Sequence, residues 1–190
     1  MGERRGLTRA VVLDTAAGLS DRDGFDALTL GAVAAALRVR PPSLYNHVAG
    51  LGGLHRDLAL RGVQELGERI RDAAVGRAGA NALVALAEAY RAYARERPGL
   101  YRALQRAPDA GDDELDAAAE RLLRPVMAVL GGCGLEGDDA VHAARSLRSA
   151  MHGFVELERL GGFGIVDLDL DASYRFMIAA VSAGMVGRRA

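Results

Sequence analysis

The stretch Arg40-Pro41-Pro42-Ser43-Leu44-Tyr45-Asn46-His47-Val48 concentrates the richest set of hydrogen-bonding tips in the chain. A guanidinium, a hydroxyl, a phenol, a carboxamide and an imidazole supply donors and acceptors suited to recognition. Leu44 and Val48 lie four residues apart, so on a helix they share a face that can dock inward. Arg40, Ser43, Asn46 and His47 then fall on the opposite side, with Tyr45 between. The pattern predicts one short helix entered through prolines. So short a helix does not persist alone, and neighbouring elements must clamp it. A small helix with outward hydrogen-bonding tips suits the major groove of DNA; the same pattern also suits a solvated surface helix.

Other groups capable of chemistry are sparser. His152 and Glu156 form an i, i+4 pair that can share a metal, but no third ligand is in view. His152 reads equally well as a hydrogen-bonded core residue or as part of a pocket. Tyr90, Tyr93, Tyr101, Met127, Met151, Phe154 and Met177 are candidates to line a cavity, or simply core. Arg148, one turn before His152, can anchor an acidic ligand or pair with a carboxylate. Cys133, the single cysteine, sits at a glycine-flanked loop with no base beside it. No Ser-x-x-Lys, Gly-x-Ser-x-Gly, Walker-type loop or His-Glu-x-x-His occurs, so the sequence predicts no enzyme, and nothing in it calls for a cofactor or a metal.

These residues need a scaffold, and composition says which kind. With 190 residues, half of them hydrophobic, the chain can bury a sizeable core and is not of disordered type. Ala, Leu, Arg and Glu dominate, β-branched runs are scarce, and the balance favours helix nearly everywhere. The net charge of −1 excludes a strongly basic nucleic-acid coat. Residues 1–61 nevertheless hold eight Arg against six acids, a mildly positive front end compatible with phosphate contact. One cysteine permits no internal disulfide and suits a reducing cytoplasm. Arg4 and Arg5 precede an amphipathic segment rather than an apolar one, so no signal peptide is expected, and no apolar run is long enough for a membrane span.

Helical spacing recurs along the chain. Leu7 to Leu19 predicts a first helix with Thr8 as cap, stopped by Ser20-Asp21-Arg22-Asp23-Gly24. Thr29 is a good N-cap for Leu30 to Leu37, with Leu28 and Val33 placed as a hydrophobic staple. Arg38-Val39 turns into the 40–48 stretch. Three helices so joined make a helix-turn-helix unit, with Leu19, Phe25, Val33, Leu37, Val39, Leu44 and Val48 as its core. Ala49 to Gly53 is expected to break the pattern before a long linking helix, about Leu54 to Val75, buried through Leu58, Val63, Leu66 and Ile70. Further helices are expected over Asn81–Arg97, over Leu100–Leu104 ahead of Pro108, from the acids Asp112-Asp113-Glu114 to Gly131-Gly132 with a kink at Pro125, from an Asp138 or Asp139 cap to Leu160, and over Ala172–Val186 after a glycine-rich stretch. The expected class is all-α, with an N-terminal three-helix helix-turn-helix domain over 1–53, the linking helix starting it towards residue 60, and a helical body over 54–190.

From Thr29 through Val33-Ala34, Leu37 and Val39 to Leu44-Tyr45-Asn46-His47-Val48, the residues resemble the DNA-binding domain of the tetracycline-repressor (TetR) family of bacterial transcription regulators. The resemblance covers roughly residues 7–60. Met151-His152-Gly153-Phe154-Val155-Glu156-Leu157-Glu158 is similar to a segment of one subgroup, named for a Trp-His-Gly element, with Met151 in place of the Trp. The resemblance implies a ligand-responsive transcriptional regulator, in the usual case a repressor, that binds a pseudo-palindromic double-stranded operator as a homodimer and is released by a small-molecule effector. By position, Thr29, Arg40, Pro41, Pro42, Ser43, Tyr45, Asn46 and His47 would face DNA. Thr29, Tyr45 and His47 would meet phosphate, and Arg40, Pro41, Pro42 and Asn46 would lie near base edges. Effector contacts would come from Tyr90, Tyr93, Tyr101, Met127, Arg148, Met151 and His152, and the last two long helices would form the dimer. Two departures bear on this. Arg38 stands where Gly is usual, and Leu51 stands where a phosphate-binding Lys is frequent, leaving only backbone amides around 51–53. These departures leave open a rival function, a small-molecule-binding or scaffold protein of the same fold without DNA binding.

Overall fold

The computed structural model describes residues 6–105 and 111–186; Arg4, Arg5 and Pro108, used in the sequence reading, lie outside them. Among the described residues every regular element is a helix. The α-helices are α1 (Arg9–Asp23), α2 (Leu30–Leu37), α3 (Gly50–Ala74), α4 (Gly79–Glu96), α5 (Pro98–Ala103), α6 (Asp113–Gly132), α7 (Gly137–Arg159) and α8 (Leu170–Val186). Two short 3-10 helices, Phe25–Ala27 and Pro41–Asn46, complete the set.

The expected caps hold at the first two helices. The Thr8 hydroxyl accepts from the Val11 N–H at 3.3 Å, and the Thr29 hydroxyl from the Ala32 N–H at 3.1 Å. Leu28 and Val33, on either side of the second cap, are both buried, as a staple requires. Other boundaries differ from expectation. α1 continues through the Ser20–Asp23 turn formers and stops at Gly24, whose φ of 95° only glycine adopts freely. α7 begins after Glu136, so Asp138 and Asp139 occupy its first turn rather than its cap, where they still complement the dipole.

The largest difference is at Ala49–Gly53, read as a break but forming the start of α3. Gly50, at φ 70°, makes the reversal that lets the helix start. A side chain at Gly53 would bring its Cβ within 2.9 Å of the Ala49 Cβ, so glycine there supplies room, not flexibility.

Two compact units emerge. The first comprises the described residues of Met1–Glu65 and Arg95–Ala118, the second those of Leu66–Ala94 and Ala119–Ala190. The first unit thus takes in α5 and parts of α3 and α6 besides the helix-turn-helix. In it α1 packs on α2 and α5, and Val12, Ala16, Phe25, Val33, Leu44, Leu54, Leu58 and Leu100 are buried. Arginine–carboxylate pairs lace its surface: Arg9 with Asp57 at 2.7 Å, Arg61 with Asp14 at 2.6 Å, Arg97 with Asp21 at 2.7 Å, and Arg56 with Asp112 at 2.6 Å.

In the second unit α7 packs on α8. Leu66, Leu83, Leu86, Tyr90, Tyr93, Leu130, Leu147, Phe154, Tyr174 and Ile178 form its core. Among α4, α7 and the start of α8, Arg91 is buried, gripping Glu158 through two bonds of 2.6 and 2.9 Å and Asp171 at 2.8 Å. The guanidinium also lies over the rings of Tyr174 and Phe154, 4.8 and 5.2 Å from their centres. A basic residue in an amphipathic helix reads as solvated, and the sequence reading passed over it.

Candidate nucleic-acid interface

α2 ends in a Schellman arrangement. The Val39 N–H donates to the Ala34 carbonyl at 3.0 Å and the Arg38 N–H to the Ala35 carbonyl at 3.1 Å. This geometry puts Arg38 in the left-handed region, at φ 56° and ψ 40°, a conformation that glycine adopts freely. A side chain there costs about 1 kcal/mol relative to glycine.

From that turn the chain enters the 3-10 helix Pro41–Asn46. The sequence predicted a short helix through Val48; the observed one is tighter and ends earlier. The two prolines lack N–H groups and restrict the residues before them, so the first internal donor is Ser43, bonding to the Arg40 carbonyl at 2.9 Å. The segment closes with the Val48 N–H on the Leu44 carbonyl at 3.0 Å. Leu44 is fully buried and Val48 nearly so, at 0% and 5% exposure. They clamp the segment to the unit's core and leave its other face outward.

On that outward face Arg40, Pro41, Pro42, Tyr45 and Asn46 are exposed, and Ser43 and His47 are half-buried. Tyr45 keeps 63% of its surface in solvent, high for a tyrosine. Thr29 is exposed at the start of α2, its oxygen engaged as cap acceptor while its O–H stays available to donate. All eight residues singled out for DNA contact therefore lie on elements of one compact unit, with none fully buried. Next in the chain comes the α3 N-terminus. There the Gly53 N–H is taken by the Ala49 carbonyl, leaving those of Leu51 and Gly52 as first-turn donors where a lysine is absent.

The residues expected to touch an effector are divided. Tyr90, Tyr93, Met127, Arg148, Met151 and His152 belong to the second unit, whereas Tyr101 is buried in the first. Tyr90, Tyr93 and Met151 are buried, Met127 and His152 half-buried, and Arg148 exposed. Tyr93 also carries the Arg69 guanidinium over its ring at 5.2 Å. A solvent-open cavity of about 360 Å³ in the second unit is lined instead by the end of α3, the turn into α4 and one face of α6, including Arg71, Val75, Arg77, Pro125 and Val129. The sequence pointed to Val75 and Pro125 only as a helix end and a kink, and to none of these residues as cavity lining.

Comparison with known proteins places this architecture. Residues 83–181 match the family described as "Tetracyclin repressor-like, C-terminal domain". The HTH-type transcriptional regulator Rv0681 of Mycobacterium tuberculosis is 40% identical over 183 residues, covering 96% of this chain and 83% of that one. The HTH-type transcriptional regulator YobS of Bacillus subtilis is 34% identical over 187 residues, covering 98% and 96%. Among solved structures, a variant of TetR from Acinetobacter baumannii AYE in complex with minocycline superposes with a TM-score of 0.73 over 97% of this chain and 99% of that one; at 22% identity it speaks to the fold alone. With the sequence relatives spanning nearly the whole chain and the family domain more than half of it, this protein belongs to the TetR family of helix-turn-helix transcriptional regulators, which are not enzymes.

Proposed function

We propose that this regulator is a repressor that binds a pseudo-palindromic operator as a homodimer and lets go of it when a small molecule occupies its helical body. The observation that carries the reading is the split within one short segment. Leu44 and Val48 are buried, while Arg40, Pro41, Pro42, Tyr45 and Asn46 are exposed beside them. A segment so anchored presents a fixed set of donors and acceptors, which is what base-edge recognition requires. Arg40, Pro41, Pro42 and Asn46 lie at base edges, and Thr29, Ser43, Tyr45 and His47 hold the flanking phosphates.

Dimerisation joins two such readers at half-sites one helical turn apart, about 34–36 Å, or a multiple. The α7 and α8 surfaces support it, since Val141, Leu157 and Phe176 expose apolar area that a lone subunit leaves in water. The effector acts by preferring one spacing of the readers, and its differential affinity supplies the free energy of release. Tyr90, Tyr93, Met127, Arg148, Met151 and His152, all in the second unit, are the candidate contacts, and the minocycline held by a fold relative supports a small organic ligand as the class. An operator partner places the protein in the cytoplasm; no described helix is long and apolar enough to cross a membrane.

The test is a mobility-shift titration on the DNA upstream of the protein's own gene, at two salt concentrations, with a reporter driven by the same DNA. Saturable binding that weakens with salt, and reporter output that rises when the protein is removed, are expected. Absence of binding at the lower salt would leave only the rival, a helical ligand-binding protein that does not read DNA.

A further inference from the structure

Arg38 is the one non-glycine residue at positive φ among the described residues, and it stands in the turn that leads into the recognition segment. It is exposed, and no ion-pair partner faces it among the described residues; the same holds for Arg40. The surrounding charge is lopsided. Between Asp26 and Arg56 the sequence contains no acid, and Arg38 and Arg40 are the only full charges. Elsewhere in the same unit Arg9, Arg56, Arg61 and Arg97 are all paired with carboxylates. Two guanidinium groups thus stand without an ion-pair partner among the described residues, in a stretch of sequence free of acids, one of them on a backbone conformation that glycine would adopt without strain. Backbone strain retained at an exposed, charged position points to work done by the side chain.

We propose that Arg38 is a further DNA-contacting residue, a phosphate anchor beside the recognition segment. This rests on the DNA-reading assignment above and adds to it a residue outside the recognition segment. Two peptide units separate Arg38 from Arg40, so their Cα atoms lie within about 7 Å. B-DNA offers a negative charge for roughly every 1.7 Å of its axis, so a turn beside base-reading Arg40 has phosphate within reach of a long guanidinium arm. Such a contact carries no sequence information; it raises affinity alike for operator and unrelated duplex.

The strain makes the proposal testable in two directions at once. Arg38→Gly relieves the backbone and removes the charge, so its melting temperature should rise or hold while DNA binding weakens. Binding is measured on a duplex from the gene's own upstream region and on a scrambled duplex of the same composition, across a salt series. Arg38→Gly and Arg38→Gln should each lose roughly fivefold on both duplexes, with the slope of log K against log salt shallower by about 0.9; Arg38→Lys should stay close to wild type. Wild-type affinity and slope in Arg38→Gly would overturn the proposal. So would full binding by Arg38→Gln beside a weak Arg38→Gly, which would assign the loss to turn geometry instead of charge. A wild-type protein that binds neither duplex would sink the DNA-reading assignment itself, and this proposal with it; a wild type that binds, with an unchanged Arg38→Gly, removes only the latter.

Discussion

Gly99 lies so close to Ser20 that a Cβ built on it would come within 2.3 Å of the Ser20 carbonyl carbon and 2.6 Å of the Asp21 nitrogen. The Asp21 carboxylate accepts from the Gly99 N–H at 2.9 Å and pairs with Arg97 at 2.7 Å. The end of α1 is therefore locked to the start of α5 by backbone proximity and by a carboxylate capping a helix N-terminus. Because these neighbours are mostly main chain, no rotamer change makes room for a methyl group. Gly99→Ala should destabilise the protein by about 2 kcal/mol or more, read as a lower urea midpoint at unchanged m value. An unaltered midpoint would mean that α1 and α5 are free to separate.

The recognition segment separates two kinds of contact. Arg40→Ala and Tyr45→Ala both remove exposed side chains, so neither should shift the melting temperature appreciably. Both should weaken operator binding. Only Arg40→Ala should change which sequence is preferred, by about 1–3 kcal/mol for the base pair it reads, whereas Tyr45→Ala should weaken all sequences alike. Competition against a panel of single-base operator variants is the measurement. An equal loss across the panel for both would move Arg40 to the phosphate backbone.

Arg91 and Glu158 show how differently a buried pair behaves from a surface one. Glu158→Leu leaves a buried guanidinium whose remaining carboxylate partner among the described residues is the half-exposed Asp171, and should cost on the order of 2–3 kcal/mol. Arg91→Met in the Glu158→Leu background removes both charges and keeps apolar contact with Phe154 and Tyr174, so it should recover part of that loss. A double-mutant cycle by urea unfolding checks this. Simple additivity of the two changes would show that the pair is not coupled.

How much of this was legible in the sequence depends on the range of the cause. Leu44 and Val48 declare their common face through a spacing of four, and Thr29 declares a helix start through its own side chain; both are local. Gly50 to Gly53 misled because glycine reads as a breaker. Its actual use, one positive φ and one tight approach to Ala49, depends on the direction the chain takes after the recognition segment. Arg91 gave a fainter cue. It shares a helix face with Ala87 and Ala94, both buried, but the carboxylate that makes burial tolerable stands 67 positions later in the chain. The effector contacts were the least legible. Tyr101 carries the same aromatic signal as Tyr90 and Tyr93, yet folds into the other unit.

Asp112 gives the pH dependence a definite sign. Side-chain hydrogen bonding to Arg56, helped by the Leu115 N–H, holds its carboxyl below the usual carboxylate range. A folded value below the unfolded one, which is about 3.9, means stabilisation that is fully present above that pH and lost as the pH falls through the folded value. Wild type should therefore be more stable than Asp112→Asn at neutral pH, and the gap should narrow below about pH 4. Urea midpoints of both proteins across an acid series give the comparison. A gap that stays constant to low pH would show that the charge of Asp112 does not set it.

Phe176 tests the proposed assembly. It stands on α8 with 78% of its surface exposed, near the middle of a helix whose opposite face buries Tyr174 and Ile178. A subunit alone gains nothing from such a residue, whereas a two-fold interface covers it twice, once on each copy. Phe176→Glu would place two like charges in that interface while leaving the buried face and the N-terminal unit untouched. The variant should fold with an unchanged helical signal, sediment as a monomer at micromolar concentration where wild type is a dimer, and lose more than roughly tenfold in operator affinity because one reader then holds one half-site. Its binding to unrelated DNA should fall much less, since that term is a sum of local phosphate contacts. A dimeric Phe176→Glu would move the interface off this face of α8, and a monomeric wild type would remove the two-reader geometry on which the operator spacing depends.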